Sequence, residues 1–313
     1  MRINFLYNLK KVFNKIEIYW LRKNKVESNL FLINKNSKKI KSILLYFPNY
    51  EMMHYGDHLF FEPLARYLKL KGYELYISPI KAMEFYFESF GYVISDDVII
   101  NKFDLIITKV EFIKATNKNQ TLLIDTTSNK IKAPLCNDII EKVARYLGDN
   151  VSNYDSVPAY YHDKNSNLLF LSSTDKYIIF NNYIDSGSIR SGLSHQNIII
   201  DFVRNLKSKT GLKVIHTGSS KDKNNDVRKY DFVDIDIRGK TSIKQLFKLC
   251  SLSNTLYNVS FDGFQMHLFL IQKKKSFVLF RGRFLKKNEY FIKNNVNPPF
   301  VYDDPKDIIE YIN

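Results

Sequence analysis

Cysteine is nearly absent: Cys136 and Cys250 are the only two in 313 residues, too few for a disulfide framework. They lie far apart in helix-like segments, and neither has a second ligand at metal-binding spacing. Zinc chemistry is therefore not expected, and the pair reads as two reduced, buried thiols of a cytosolic chain. No apolar run reaches the roughly 18 residues that a membrane-spanning helix needs. Lys10, Lys11 and Lys15 interrupt the apolar start, so no signal peptide is expected. An arginine-rich helix, zinc-finger spacing and the aromatic signatures of RNA-binding folds are missing too, so nucleic acid is not an expected partner. The net charge of +15, from 47 Lys+Arg against 32 Asp+Glu, keeps a nucleic-acid binder in view only as a rival. Thinly spread lysines suit an anionic membrane surface or a Lys- and Asn-rich composition better.

What is present is ample apolar material. Hydrophobic residues make up 45% of the chain and aromatics 15%, which argues against wholesale disorder, and the length suits two domains. Near the start, Phe5, Leu6, Leu9, Val12, Phe13, Ile16 and Trp20 recur at helical spacing. Lys10, Lys11, Lys15, Arg22, Lys23 and Lys25 fill the gaps and the end. Such a basic amphipathic helix either lies in an anionic membrane interface or packs on the protein's own surface. Both readings stay open.

From Lys41 onward the pattern alternates. Compact apolar runs at 42–47, 74–78, 103–108 and 121–125 read as buried strands. Helical periodicity covers 58–70, 81–90 and 137–147, closed by Gly72, Gly91 and Gly148 as C-caps. A polar stretch rich in Tyr and Asn, 149–167, breaks the alternation. It resumes with strands at 176–180, 212–216, 255–260 and 276–280 and helices at 194–208 and 242–252, the latter N-capped by Thr241 or Ser242. A short terminal helix starts at Asp304 or Pro305. Strands alternating with helices imply α/β units with mostly parallel sheets. The expected organisation is a basic N-terminal segment at 1–40, a Rossmann-like domain at 41–165 and a second at 166–313. The two sheets would face a central cleft, with ligands at the carboxyl ends of the strands.

The segment 236–267 is the most informative. Asp236-Ile-Arg-Gly-Lys-Thr-Ser242 precedes an amphipathic run, and a strand then leads through Phe261-Asp-Gly-Phe-Gln-Met-His267 into a helix. The first amides of that helix have no partner within it, and the helix dipole adds partial positive charge. Gly263, Phe264, Gln265, Met266 and His267 therefore form a candidate diphosphate seat. Asp262 would orient the loop or cap the helix. Asp234-Ile-Asp236 has the spacing of a metal-binding pair but reads as a strand end before Arg238.

These residues carry a resemblance. The chain resembles the GT-B glycosyltransferases, in particular the ADP-heptose:lipopolysaccharide heptosyltransferases of glycosyltransferase family 9. The resemblance rests on Asp236-Ile-Arg-Gly-Lys-Thr-Ser-Ile243, on Asp262-Gly-Phe-Gln-Met-His267, and on Tyr55-Gly-Asp-His58 with Pro63 in the following helix. The three occur in the family's order over roughly residues 42–285. Two departures stand out. Phe264 and Gln265 replace the family's usual glycine and small residue, and the loop at 181–192 lacks its Lys–Trp pair.

The resemblance implies a GT-B fold and an inverting, metal-independent transfer of a hexose or heptose. The donor would be a nucleotide sugar, ADP-linked in preference, with no further cofactor. The acceptor would be lipopolysaccharide, capsule or another bacterial surface glycan, on the cytoplasmic side of the membrane. Asp57 matches the family's general base, a role contested by N-capping of the 58–70 helix; His58 is a weaker alternative base. Arg190 is the nearest candidate for a cation on the diphosphate. The resemblance places nucleoside contacts at Gly218, Ser219 and Ser220, and sets Gly239, Lys240 and Thr241 beside the base. The aromatic stretches 83–87 and 154–161 would line an acceptor cleft or serve packing. The departures motivate an alternative: a catalytically altered GT-B-like partner in a glycan assembly complex.

Overall fold

The computed structural model describes residues 25–27, 30–35, 39–47, 54–95, 102–109, 120–126, 135–151, 154–182, 193–261, 263–279 and 300–302. The expected helices at 5–20 and near 305, together with Arg190 and Asp262, lie outside these residues. The chain forms two compact units, 1–53 with 64–154, and 54–63 with 155–313.

The first unit is built on seven strands: β1 (Lys25–Glu27), β2 (Leu30–Ile33), β3 (Ser42–Tyr46), β4 (Glu74–Ser78), β5 (Val93–Ile94), β6 (Leu105–Lys109) and β7 (Thr121–Ile124). They lie in the order β1-β2-β7-β6-β3-β4-β5. The five from β3 to β7 are mutually parallel, and β1 and β2 are added antiparallel. Ile43, Leu44 and Leu45 of β3 and Leu105, Ile106 and Ile107 of β6 are all buried. Central parallel strands are covered on both faces, so they read as unbroken apolar runs. The parallel core is doubly wound, and its strand order reverses between β3 and β6. Two-residue β5 and the pair β1–β2 had no sequence signal. The latter pair lies in the segment read as basic and amphipathic, and pairing with β7, Leu30 opposite Ile124, makes it a strand.

Helix α1 spans Tyr55–Leu70, α2 Glu84–Glu88 and α3 Leu135–Leu147. The helix expected at 81–90 is split. A 3-10 turn, Lys81–Met83, precedes α2, and Met83 leaves helical geometry at φ −116°, ψ 2°. Met83, Tyr86 and Phe87 are buried, so packing overrides helical continuity.

The second unit holds six parallel strands: β8 (Tyr177–Asn181), β9 (Lys213–His216), β10 (Ile235–Asp236), β11 (Thr255–Phe261), β12 (Lys275–Leu279) and β13 (Phe300–Tyr302). Their order is β10-β9-β8-β11-β12-β13, all parallel. Numbered from β8 this is 3-2-1-4-5-6, the doubly wound order of dinucleotide-binding sheets, with its switch point between β8 and β11. The helices are α4 (Leu193–Thr210), α5 (Ser220–Asn225), α6 (Ile243–Ser251) and α7 (Phe264–Ile271). Ile199, Phe202, Val203 and Leu206 of α4 pack with Phe180, Val214, Val259 and Phe277 of the sheet. Of the two expected caps of α6, Ser242 is the one used: it and Gln245 form a capping box.

Candidate functional site

Ligands of a doubly wound sheet bind beyond the carboxyl ends of the strands at the switch point. In the second unit that is where α7 begins. Its N-cap is Gly263, in extended backbone with no side-chain cap. The amides of Phe264, Gln265 and Met266 have no partner within the helix, while His267 N–H already reaches Gly263 O at 3.3 Å. This mouth suits an anion through backbone amides and dipole together.

The side chains of the expected seat have other work. Gln265 Nε2 donates to Asn258 Oδ1 at 2.6 Å, and its Oε1 accepts from the Thr217 hydroxyl at 2.5 Å. Gln265 thus ties the start of α7 to β11 and to the residue after β9. Met266 is buried. Phe264 packs between Tyr55 and Phe247, with ring centroids 5.6 Å from each. Tyr160 and Tyr161 pack edge-on against Phe247.

The loops after β9 and β10 meet. Gly218 has φ +154°, and a Cβ there would lie 2.8 Å from Asp222 Oδ2. Gly239 has φ +69°, and a Cβ would meet Ser220 Oγ at 2.9 Å and Cα at 3.0 Å. Neither tolerates a side chain without distortion. Ser219 N-caps α5 in a capping box with Asp222, so its hydroxyl is engaged. Lys240 is exposed and Thr241 half-buried in the turn leading to Ser242.

Beneath these loops lies a polar network for which the sequence carried no local signal. Asp226 accepts from Asn182 Nδ2 and from the Tyr230 hydroxyl, both at 2.7 Å, and from Arg228 Nε at 2.7 Å. Asn182 Oδ1 lies 2.9 Å from His216 Nε2. Arg238, only 3% exposed, grips Asp236 with two bonds and donates to the carbonyls of Asp226 and Arg228. Burial pushes the Asp236 and Asp226 carboxyls up, but hydrogen bonds from Arg238 and Arg228 outweigh it and hold both below the usual range, Asp236 at about 2. Burial, helped by the Arg238 charge, drives His216 down to about 3, so it stays neutral.

Asp57 falls in the first turn of α1, and residues 54–63 belong to the second unit. It is not the N-cap. The helix starts three residues earlier than the periodicity implied, and the Asp57 carboxylate reaches back to accept from His54 N–H at 3.2 Å. His58 is fully buried, its Nδ1 3.3 Å from His54 O. This turn rests on α7: the Phe60 ring meets the His267 ring edge-on at 5.1 Å. His267 is 6% exposed. Burial carries its pKa down to about 3 against an upward pull from Asp57, so a neutral ring sits in the interior rather than at the phosphate mouth. Both cysteines are buried and unpaired with each other. Among the described residues no group of three His, Cys, Asp or Glu is placed to hold a metal.

No family model matches the sequence, and no curated protein does. Solved structures do match. A glycosyl transferase family 9 protein from Veillonella parvula DSM 2008 is 14% identical at a TM-score of 0.55, over 86% of this chain and 87% of that one. The E. coli ADP-heptose lps heptosyltransferase II is 11% identical at 0.56, over 87% of this chain and 98% of that one. E. coli heptosyltransferase WaaC, with ADP-2-deoxy-2-fluoro heptose, is 10% identical at 0.51, again over 87% and 98%.

The chain has the GT-B fold.

Within this GT-B chain the described candidates sort into three groups. Gly263, Phe264, Gln265, Met266 and His267 form the start of α7, with Asp57 on the α1 turn packed against it. Gly218, Ser219, Gly239, Lys240 and Thr241 share the paired loops after β9 and β10. Asn182, Thr217, Asp226, Arg228 and Arg238, absent from the sequence-derived set, support both; only their long-range bonds reveal them.

Proposed function

We propose that this chain is an inverting glycosyltransferase that moves a sugar, a hexose or heptose, from a nucleotide sugar to a bacterial surface glycan such as lipopolysaccharide or capsule. The observation that carries the reading is the α7 amide mouth at the switch point, with the Asp57 turn packed on the same helix. Asp57 takes the proton from an acceptor hydroxyl. That oxygen attacks the anomeric carbon from the face opposite the diphosphate, and the carbon–oxygen bond to phosphate breaks. The amides of Phe264, Gln265 and Met266, with the Arg190 guanidinium, receive the negative charge that develops on the leaving group, while Asp262 contacts the donor sugar or orients the loop. Gly218, Ser219, Gly239, Lys240 and Thr241 hold the nucleoside. Because similar folds were solved with ADP or an ADP-heptose analogue, an ADP-sugar is the first donor to try. The transfer is proposed to need no metal, with Arg190 supplying the cationic help instead.

The chain would work at the cytoplasmic face of the membrane, held by the basic segment 1–25. No helix among the described residues is long and apolar enough to cross a membrane. A second reading, a GT-B-like partner protein without transfer, is favoured by Phe264, whose ring stands between Tyr55 and Phe247 at the mouth.

A stabilisation screen against ADP-, GDP-, UDP- and CMP-sugars separates the two, since a ligand of the folded state raises its apparent stability. Binding by one class, with transfer to a membrane glycan acceptor that survives a chelator, supports the proposal. Binding without transfer favours the partner reading, and no binding to any of them sinks the transferase.

A further inference from the structure

We infer that His267 is a positioning residue that sets the Asp57 turn at a fixed height on the donor helix, through direct packing against Gly56. The inference rests on the transferase reading above. Gly56 lies in the first turn of α1, and no positive φ calls for glycine there. The close approach of His267 does. A Cβ on Gly56 would stand 3.1 Å from His267 Cδ2 and 3.5 Å from Nε2. Phe60, one turn further along α1 on the same face, closes edge-on over the ring at 5.1 Å.

The imidazole is therefore held from two successive turns of α1, and it projects from the first turn of α7. Asp57 directly follows Gly56, and its carboxylate is steadied by His54 N–H at 3.2 Å. The ring thickness of His267 thus sets the spacing between the Asp57 carboxylate and the Phe264–Met266 amides. Residues 54–63 cluster with the second unit, so the base and the leaving-group seat belong to one unit. A neutral, buried ring serves this task and brings no charge to a phosphate.

The test uses the full chain with its best nucleotide sugar and acceptor, measuring donor Kd and kcat separately. Displacing a reacting group by about 1 Å costs on the order of 10²-fold. Gly56→Ala is expected to lower kcat by about that factor and leave donor Kd unchanged. His267→Ala should do likewise. In the double variant the new methyl occupies space the ring vacated, so kcat should exceed that of Gly56→Ala alone. Should Gly56→Ala fail to fold, His267→Phe serves: a ring of similar thickness keeps transfer if His267 is a spacer. Loss of donor affinity in His267→Phe, or losses that simply multiply in the double variant, overturn the inference while the transferase stands. A wild-type chain that binds no nucleotide sugar removes the transferase reading and this inference together.

Discussion

The amide of Gly239 donates to the carbonyl of Gly218 at 2.8 Å, and this bond joins the loops after β9 and β10. The two residues are 21 positions apart, and each occupies a backbone region that a side chain disfavours. Gly239→Ala combines a left-handed φ of +69° with a contact of 3.0 Å to backbone Ser220 Cα. Gly72, at φ +84°, has nothing within 4 Å of its Cβ position. Gly72→Ala should therefore cost about 1 kcal/mol for backbone strain alone, and Gly239→Ala about 2–3 kcal/mol or more. Urea unfolding of the two variants measures the difference; equal costs would mean that the loop gives way around Ser220.

Asp57→Asn should lower transfer by about 10²- to 10⁴-fold, the range of a lost general base. Donor affinity should hold, because the carboxylate lies on α1 and the phosphate amides lie on α7. Stability should change little, since asparagine can still accept from His54 N–H. A variant that transfers at the wild-type rate would remove Asp57 from the chemistry and leave it the role of a first-turn carboxylate.

Arg238→Met keeps bulk and removes a guanidinium that is 3% exposed. The carbonyls of Asp226 and Arg228 lose a donor, and Asp236 loses the partner that outweighs its burial. Unfolding free energy should drop by about 3 kcal/mol. A second consequence follows for the Asp236 carboxyl, held at about 2 in the wild type: it should titrate upward in the variant, visible by NMR. Unchanged stability would mean that water replaces the arginine.

Acid should weaken the fold through two histidines. His216 and His267 have folded pKa values near 3, depressed by burial, against about 6.5 in an unfolded chain. The unfolded state then binds more protons. The stabilisation is complete above about pH 6.5 and is lost as pH falls towards 3, by at most about 1.4 kcal/mol per pH unit for each histidine. Asp226 and Asp236, also depressed, contribute only at lower pH, below the ordinary aspartate range. Unfolding midpoints at successive pH values should slope between about pH 6 and 4.5, and His267→Phe should remove one histidine's share. A flat profile in that window would mean that the rings are not buried in solution.

Much of the architecture was legible along the chain. The runs at 42–47 and 74–78 gave away parallel strands because both faces of such strands are covered. Ser242 was one of the two caps expected for α6, and Gly72, Gly91 and Gly148 marked helix ends through left-handed backbone. The helix start after β11 followed from the same alternation, whereas the switch point came from the strand pairing. Less was legible where few residues carry the signal. β1 and β2 are three and four residues long; β2 exists by pairing with β7, and β1 by pairing with β2. The helix expected at 81–90 broke at Met83 because its aromatic side chains packed inward.

The candidate site shows the boundary most clearly. Residue types and order brought Gly218 and Gly239 onto loops after strands and Asp57 and the 263–267 segment to helix starts, because backbone hydrogen bonding and apolar periodicity are local and are written in neighbouring residues. Whether Gln265 faced a ligand or Asn258 and Thr217, whether His267 met phosphate or Gly56, and which unit held the first turn of α1 depended on partners in other elements of the fold. Burial and hydrogen-bond satisfaction are properties of the assembled interior, so only the tertiary structure decided them.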